Sequence, residues 1–478
     1  MNQNEIEKFS LDSMNIKEEQ ISQLKQLFPE VFTEGNKIDW ERLRLTFGEN
    51  IDVGKERFGL NWAGKSECFK LIQQPSTGTL VPSREESINF DTTENLFIEG
   101  DNLEVLKLLQ KSYFGKVKMI YIDPPYNTGN DFVYIDDFKD NLKNYLELTG
   151  QVDSEGKKLS TNVESDGRFH SNWLNMMYPR LFLAKNLLRE DGTIFISIDD
   201  RELNNLTAIC KEIFGEDNFL ATLIWEKVHT RKNSTQFFSV SHDYVIAFAK
   251  DKSNWDRILI PRDNTEAYTN PDNDPKGPWK SDPITAHNFY AANYKITKPN
   301  GIVLERPRDR YWVYSQETWQ QKVEANEVIW GEGNSMPLVK RYLSSVQNGL
   351  VPITLFSRKF AGDSALAKGE LSELLGVGAL FDYPKPHLLI KRCMQITLRE
   401  ADFALDFFAG SCTTAHAVLE LNKEDGGNRK FICVQIPEPT DRASEAFKSG
   451  LQNNCRHRKG KNQKSNKENW GRKGKAGA

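Results

Sequence analysis

The ten residues from Val117 to Tyr126 read VKMIYIDPPY. The first six are mostly β-branched, aromatic or otherwise apolar, which is typical of a buried strand. Proline has no N–H to donate to a neighbouring strand, so Asp123-Pro124-Pro125 must end it. We therefore predict a strand over 117–122, followed at once by a turn that carries a carboxylate and an aromatic ring.

Strands and helices are predicted to alternate on both sides of this turn. Asn102 is a candidate N-cap for the helix that follows the first strand, and Pro179 disturbs the next helix. This alternation indicates an α/β fold with a mainly parallel sheet. The predicted strands are 95–98, 117–122, 193–198, 403–407 and 431–436, and the predicted helices are 102–109, 171–189, 203–214 and 413–421. The pattern breaks down over about 221–378, where the short apolar runs 222–225 and 244–249 lie among loops.

Composition excludes several classes of protein. No apolar run approaches the roughly 18 residues of a membrane span, so no membrane partner is expected. The six cysteines lie far apart without a CxxC pair, which argues against a disulfide scaffold or zinc knuckle and favours the cytoplasm. The formal net charge is −4, but residues 451–478 contain nine Lys/Arg and one Glu, a local +8, which leaves −12 for residues 1–450. Composition alone therefore does not nominate a nucleic-acid partner.

The turn after the strand at 117–122 suits the chemistry of an exocyclic amine. Ligands gather at the carboxyl ends of parallel strands. There the Asp123 carboxylate and the Pro124 carbonyl can accept hydrogen bonds from one NH₂ group, while Pro125 stiffens the turn and Tyr126 offers a face for a planar base. The ordinary alternative is a strand-ending turn with a capping aspartate.

A second candidate site follows the strand at 403–407, where residues 406–414 read DFFAGSCTT. Small residues let the backbone approach a ligand, and a helix N-terminus offers free N–H groups. That combination suits the amino-acid end of S-adenosylmethionine. Glu438, after the next strand, is placed to bind ribose hydroxyls. The alternatives are a tight connection and a surface glutamate.

Together the two turns resemble the motifs of amino-group DNA methyltransferases. The Asp-Pro-Pro-Tyr motif precedes the Gly-containing loop by 283 positions, an order similar to that of the circularly permuted β class. The resemblance implies a Rossmann-like sheet and an irregular α+β insert for target recognition. Four segments are similar to the modification subunits of type III restriction-modification systems: Asn95–Leu109 (NLFIEGDNLEVLKLL), Ile120–Asn130 (IYIDPPYNTGN), Ser241–Lys250 (SHDYVIAFAK) and Trp279–Asn288 (WKSDPITAHN).

The family resemblance also implies roles for residues and partners. Asp123, Pro124, Pro125 and Tyr126 would bind and position the target base, with no metal. The expected partners are double-stranded DNA, a second copy of the chain in a homodimer, and a type III endonuclease-translocase subunit. The residues expected to bind S-adenosylmethionine are Asp101, Lys385, Pro386, Asp406, Phe408, Gly410 and Glu438.

The expected function is transfer of a methyl group from S-adenosylmethionine to adenine N6. A cytosine-N4 methyltransferase would use the same chemistry, although Asp rather than Ser before Pro-Pro-Tyr favours adenine. The other alternative is a DNA-recognition protein that binds no cofactor, because Cys412 stands where the family pattern has glycine and cysteine resists positive φ.

The predicted organisation has five parts. They are a mostly helical N-terminal region (1–90), a catalytic half (91–220), the target-recognition insert (221–378), a cofactor-binding half (379–450) and a basic tail (451–478).

The tail at 451–478 has two interpretations. One is a disordered basic arm that binds phosphates. The other is a frameshift, since reverse translation of 451–466 in a shifted frame can encode a peptide with Ile and Val at helical intervals. We expect a frameshifted, truncated protein, and the gene sequence decides the matter.

Overall fold

The computed structural model describes residues 13–33, 35, 37–40, 43, 59–128, 169–231, 233–262, 265–346, 349–375 and 383–437. Glu438 and the predicted tail lie outside the described residues. The chain divides into two compact units. The larger unit is Met1–Ile258 with Ile353–Ala478, and the smaller unit is Leu259–Pro352.

The strands of the described residues are β1 (Leu96–Glu99), β2 (Val117–Ile122), β3 (Leu188–Ile198), β4 (Phe219–Glu226), β5 (His242–Ala249), β6 (Trp279–Pro283), β7 (Thr285–Ala286), β8 (Ile296–Thr297), β9 (Val303–Leu304), β10 (Tyr311–Trp312), β11 (Val328–Ile329), β12 (Leu338–Tyr342), β13 (Leu355–Phe356), β14 (Phe403–Asp406) and β15 (Lys430–Gln435).

The α-helices of the described residues are α1 (Ile16–Leu27), α2 (Lys65–Gln73), α3 (Asn102–Tyr113), α4 (Phe169–Leu187), α5 (Leu203–Phe214), α6 (Gln316–Glu324), α7 (Arg358–Ala361), α8 (Ser364–Leu375), α9 (His387–Thr397) and α10 (Thr413–Asp425). Within the part of the chain that the structure describes, none of these helices is long and apolar enough to cross a membrane.

One eight-stranded sheet forms the larger unit, in the order β1-β15-β14-β2-β3-β5-β4-β13. The first five strands are parallel to one another, and β5 is the antiparallel member between β3 and β4. The carboxyl ends of β1, β15, β14 and β2 therefore meet at one edge. The prediction of a Rossmann-like, permuted α/β sheet is confirmed, because β14 from late in the chain pairs with β2 from early in it.

The helices that cover the sheet are anchored by buried side chains. Every residue of β2 is buried, and α4 packs Trp173, Met177 and Arg180 into the same core in spite of Pro179 inside it. The N-cap of α3 is Asp101, whose carboxylate accepts hydrogen bonds from the backbone N–H groups of Leu103 and Glu104. The prediction of Asn102 as the cap was wrong by one position: Asn102 is buried, and its side chain donates to the Phe407 carbonyl.

The smaller unit contains short strands and one helix around its own apolar cluster. Three strands pair in the order β11-β12-β6, and two further pairs are β10-β7 and β8-β9. Trp312 is completely buried in this cluster, beside Trp319 and Val339. The two ends of the unit meet in an antiparallel bridge between Ile260 and Leu350.

The boundaries of the smaller unit differ from those predicted for the recognition insert. The sequence gives short apolar runs among loops over 221–258, and we assigned them to the insert. In the structure β4 and β5 pair with each other and extend the main sheet from β3, and β13 adds to β4. The separate unit spans residues 259–352, within the range of 221–378 predicted for the insert.

Candidate active site

The Asp-Pro-Pro-Tyr turn lies at the carboxyl end of β2, as the sequence predicts. Pro124 is buried, and the Trp173 indole N–H donates a 2.7 Å hydrogen bond to the Pro125 carbonyl. Together these contacts fix the backbone of the turn. The Asp123 side chain keeps 25% of its surface exposed, so its carboxylate can meet a ligand.

The ammonium group of Lys385 binds the Asp123 carboxylate. Its Nζ atom lies 2.7 Å from each of the two carboxylate oxygens. The same atom lies 4.9 Å from the centre of the Tyr126 ring and 5.8 Å from that of Trp225. A nitrogen with N–H donors is thus held between a carboxylate and two aromatic rings. Sequence reasoning assigned Lys385 to the cofactor. It missed the contact of Lys385 with Asp123 and the position of the Trp225 ring beside the Lys385 ammonium.

Charges around this contact are balanced. Asp243 at the start of β5 is buried and forms an ion pair with Lys227 at 2.6 Å. Burial raises the pKa of the Asp243 carboxyl, which Lys227 and Lys385 counteract. Burial and the nearby Asp123 carboxylate likewise raise the pKa of the Tyr126 phenol well above its usual value. Tyr126 is therefore a neutral aromatic surface at neutral pH.

A buried carboxylate supports the residue after the motif. Asn127 adopts a positive φ of 60°, and its side-chain N–H donates to Glu202 at 2.6 Å. Asn205 donates to the other Glu202 oxygen at 2.8 Å, and His170 lies 2.6 Å from Glu202. Glu202 is fully buried, so this network holds the chain as it leaves Tyr126. Because 75 residues separate Glu202 from Asn127, no sequence spacing could have indicated it.

The second predicted turn lies at the carboxyl end of β14, next to β2. Asp406 is buried, and its carboxylate accepts hydrogen bonds from the Phe408 N–H and from the Thr414 hydroxyl. The Gly410 N–H donates to the side-chain oxygen of Gln435, a contact that sequence reasoning missed. Asp406 therefore ties the turn to the first residues of α10.

Cys412 lies in this turn in the left-handed conformation, with φ 56° and ψ 37°. Its side chain is completely buried. Hydrogen bonding to Cys412, together with burial, raises the pKa of the Cys433 thiol well above its ordinary value. Cys412 thus adopts the positive φ that cysteine disfavours. A lower affinity for the cofactor remains a prediction.

The two turns share the wall of one cavity. Of the residues assigned to the target base, Asp123 lies on this wall, and of those assigned to the cofactor, Lys385, Asp406, Phe408 and Gly410 do. Pro386 lies beside them as the N-cap of α9. Asp101 lies at the carboxyl end of β1, where its second oxygen is 3.3 Å from Arg180. Residues on the cavity wall include Asp123, Lys385, Asp406, Phe408, Gly410 and Thr413.

A permuted, mostly parallel sheet with these two turns at neighbouring strand ends defines a Rossmann-like methyltransferase fold. A family model described as DNA methylase matches residues 117–440, about two thirds of the chain. The chain is 36% identical over 451 residues to the type III restriction-modification enzyme StyLTI Mod subunit of Salmonella typhimurium, covering 90% of this chain and 68% of that one. It is 34% identical over 468 residues to the EcoPI Mod subunit of Escherichia phage P1, with 90% and 72% covered. The chain therefore belongs to the DNA methylase family, together with the type III Mod subunits.

Among solved structures, the M1.HpyAVI–SAM complex is similar, with a TM-score of 0.31 and 14% sequence identity. That comparison covers 71% of this chain and 93% of the other.

Proposed function

We propose that this chain is the modification subunit of a type III restriction-modification system and methylates adenine N6 in a specific DNA sequence. The observation that carries the proposal is the position of the Lys385 ammonium group. Its N–H donors bind Asp123 over the face of Tyr126, on the wall of the cavity that also contains the Gly-containing turn. The same carboxylate and ring can receive the amino group of a base.

The cavity fits S-adenosylmethionine, the cofactor of this fold family. Its wall carries both polar groups, among them the Asp406 carboxylate, and the apolar ring of Phe408, the mixture expected of a small-molecule site. Ala409 and Gly410 leave the backbone accessible, and the N-terminus of α10 directs N–H groups towards an anion such as the carboxylate of an amino acid. When bound, the cofactor supplies a methyl group already activated by its positively charged sulfur.

The residues of the first turn act on the target adenine. DNA methylation requires the base to leave the stack, and Tyr126 offers the surface on which it can lie. The Asp123 carboxylate and the Pro124 carbonyl accept hydrogen bonds from the two N6–H groups. These hydrogen bonds direct the nitrogen lone pair towards the methyl group. The adenine amine must compete with Lys385 for Asp123, because the Lys385 ammonium contacts both carboxylate oxygens. Positioning supplies most of the acceleration.

Replacement of Asp123 by alanine tests this role. We expect methyl transfer to fall by at least about a hundredfold, because both the acceptor and the orientation of the amine are lost. Binding of S-adenosylmethionine, measured by calorimetry, should remain largely intact. Asp91→Ala is the matched control, since Asp91 is an exposed carboxylate that pairs with the exposed Arg84 at 2.8 Å, and its removal should leave transfer unchanged. Comparable turnover by the Asp123 variant would refute the assignment.

Chemical analysis of the product identifies the base. We expect N6-methyladenine after digestion of methylated DNA to nucleosides. Detection of N4-methylcytosine instead would show that the substrate is cytosine and not adenine. Failure to bind S-adenosylmethionine at millimolar concentration would instead favour a recognition protein without catalysis.

The proposed assembly contains double-stranded DNA, an endonuclease-translocase subunit and two copies of this chain, and its location is cytoplasmic. The named relatives are Mod subunits of type III enzymes, which supports the second subunit. Light scattering of the purified chain measures how many copies of it associate, and the same measurement after mixing with the endonuclease subunit measures the composition of the complex. A monomer that fails to bind the endonuclease subunit would contradict this assembly.

A further inference from the structure

Two adjacent phenylalanines on the larger unit are almost fully exposed. Phe237 has 83% of its surface accessible and Phe238 has 90%, and Val240 beside them is 51% exposed. These residues belong to the loop 227–241, which joins β4 to β5. Two neighbouring rings directed into water make an apolar surface that favours a partner.

The position of the loop relates it to the active site. β4 pairs antiparallel with β5, and β5 pairs antiparallel with β3, so the carboxyl end of β4 lies at the same sheet edge as Asp123. The loop leaves this edge at Glu226 and returns to it at His242, which are partners in the β4–β5 register. Three strand spacings separate β2 from β4, a distance of about 14 Å.

Contacts at the base of the loop reach the catalytic carboxylate. Trp225, the last but one residue of β4, faces the Lys385 ammonium that binds Asp123. Lys227, the first residue of the loop, pairs with Asp243, whose pKa responds to Asp123 and Lys385. The loop is therefore attached to the wall of the site.

The charge of the loop selects its partner. The sequence of residues 227–241 contains two lysines and one arginine and no acidic residue, whereas the whole chain is acidic. Lys227 is paired with Asp243, whereas Arg231 is exposed on this loop. A loop that carries an exposed cation and two exposed apolar rings matches nucleic acid, in which cations meet phosphates and rings insert between bases.

We propose that Phe237 and Phe238 insert into the DNA base stack beside the target adenine and stabilise the duplex from which that base has been extruded. This inference rests on the proposed function and deepens it, since it names the residues that compensate for the lost stacking. Extrusion of a base breaks stacking and pairing, and apolar wedges are a known means of offsetting that cost.

The test uses the full-length double variant Phe237→Ala/Phe238→Ala and a duplex whose target site is first mapped by sequencing DNA from an expressing host. We expect methyl transfer to an intact duplex to fall at least about tenfold. Transfer to a duplex with a mismatch opposite the target adenine should fall much less, because that base leaves the stack more easily. Trp40→Ala, at an exposed aromatic residue (73% accessible) of the N-terminal region, is the matched control.

A second readout does not depend on methylation. 2-Aminopurine at the target position becomes fluorescent when it leaves the stack, and the double variant should lose that signal. If the mapped modified base is not adenine, the proposed function fails, and the wedge still stands when the double variant loses the extrusion signal of 2-aminopurine at that position. If the wild type methylates and the double variant is unimpaired, or equally impaired on intact and mismatched duplexes, the wedge is wrong.

Discussion

Cys412 occupies a backbone conformation that disfavours every residue with a Cβ atom. The left-handed conformation costs an L-residue roughly 1–2 kcal/mol, and Cys412 adopts it with φ 56° at the start of α10. Its side chain is completely buried, and its thiol interacts with that of Cys433. The turn that approaches the cofactor is therefore strained at a single residue.

The pair of variants Cys412→Gly and Cys412→Ala separates strain from side-chain packing. Both remove the thiol, but only glycine relieves the positive φ, so the glycine variant should be more stable than the alanine variant by about 1 kcal/mol. Denaturant unfolding of both proteins measures this difference, and calorimetry should show that the glycine variant binds S-adenosylmethionine at least as tightly as the wild type. Equal stability of the two variants would contradict the left-handed conformation.

Sequence reasoning at this scale placed the two turns at one edge of the sheet but missed the contacts between distant residues there. Asp123, Asp406 and Gly410 follow predicted parallel strands, and the rule that such strand ends share an edge was enough to bring them together. The contact between Lys385 and Asp123 spans 262 positions and depends on the three-dimensional path of the chain before α9. No local pattern encodes such a contact.

At the start of α3, the Asp101 carboxylate both caps the helix and pairs with a buried arginine. One oxygen of Asp101 caps the helix, and the other lies 3.3 Å from the guanidinium of Arg180, which is completely buried. Arg180 also donates to the Asn102 side chain at 2.5 Å and to the Met176 carbonyl at 2.8 Å. Helices α3 and α4 are thereby joined through polar contacts inside an apolar core.

Asp101→Asn and Asp101→Ala distinguish the capping role from the ionic one. Both variants lose the ion pair with Arg180, but asparagine retains an oxygen that can cap the helix. We therefore expect the alanine variant to be about 1 kcal/mol less stable than the asparagine variant in denaturant unfolding. Titration with S-adenosylmethionine tests the predicted contact of Asp101 with the cofactor adenine. If Asp101 makes this contact, both variants should bind S-adenosylmethionine more weakly even where they fold normally. Equal unfolding free energies for the two variants would show that the cap contributes nothing.

Strands and helices with a regular apolar pattern were predictable from the sequence. The pairing of strands that are distant in the sequence was not. The boundaries predicted for β2 and α5 agree with the structure at both ends. β4 and β5 were recognised as short apolar runs but not as members of the main sheet. β5 pairs antiparallel with β3, and β4 pairs antiparallel with β5, an arrangement that the predicted alternation of parallel strands and helices does not contain.

Excision of the smaller unit tests the division of the whole molecule. The bridge between Ile260 and Leu350 brings the two ends of the unit together, so a short Gly-Ser linker can replace residues 259–352. We expect the excised protein to fold cooperatively and to bind S-adenosylmethionine, but to lose site-specific methylation if the smaller unit recognises the target. Insertion of the same linker between Ile258 and Leu259 is the control and should preserve activity. Site-specific methylation by the excised protein would exclude the recognition role.

The domain boundaries show what sequence could and could not predict at the scale of the molecule. The order of the two motifs indicated a sheet assembled from both parts of the chain, and the pairing of β14 with β2 agrees. The compact unit spans 259–352, and the recognition insert was predicted over 221–378, a range that also contains β5 and β13 of the main sheet.

The place of β1 at the end of the sheet has a consequence for protein synthesis. Its one strand neighbour in the described sheet is β15, which ends at Gln435, 336 residues after Glu99. At typical elongation rates of about 5–20 residues per second, roughly 15 to 70 seconds pass on the ribosome before that neighbour exists. During that interval β1 presents an unpaired edge, a surface to which other nascent chains can add a strand. A ribosome that pauses within the smaller unit would lengthen the interval, so the yield of native protein should depend on the speed with which residues 259–352 are translated.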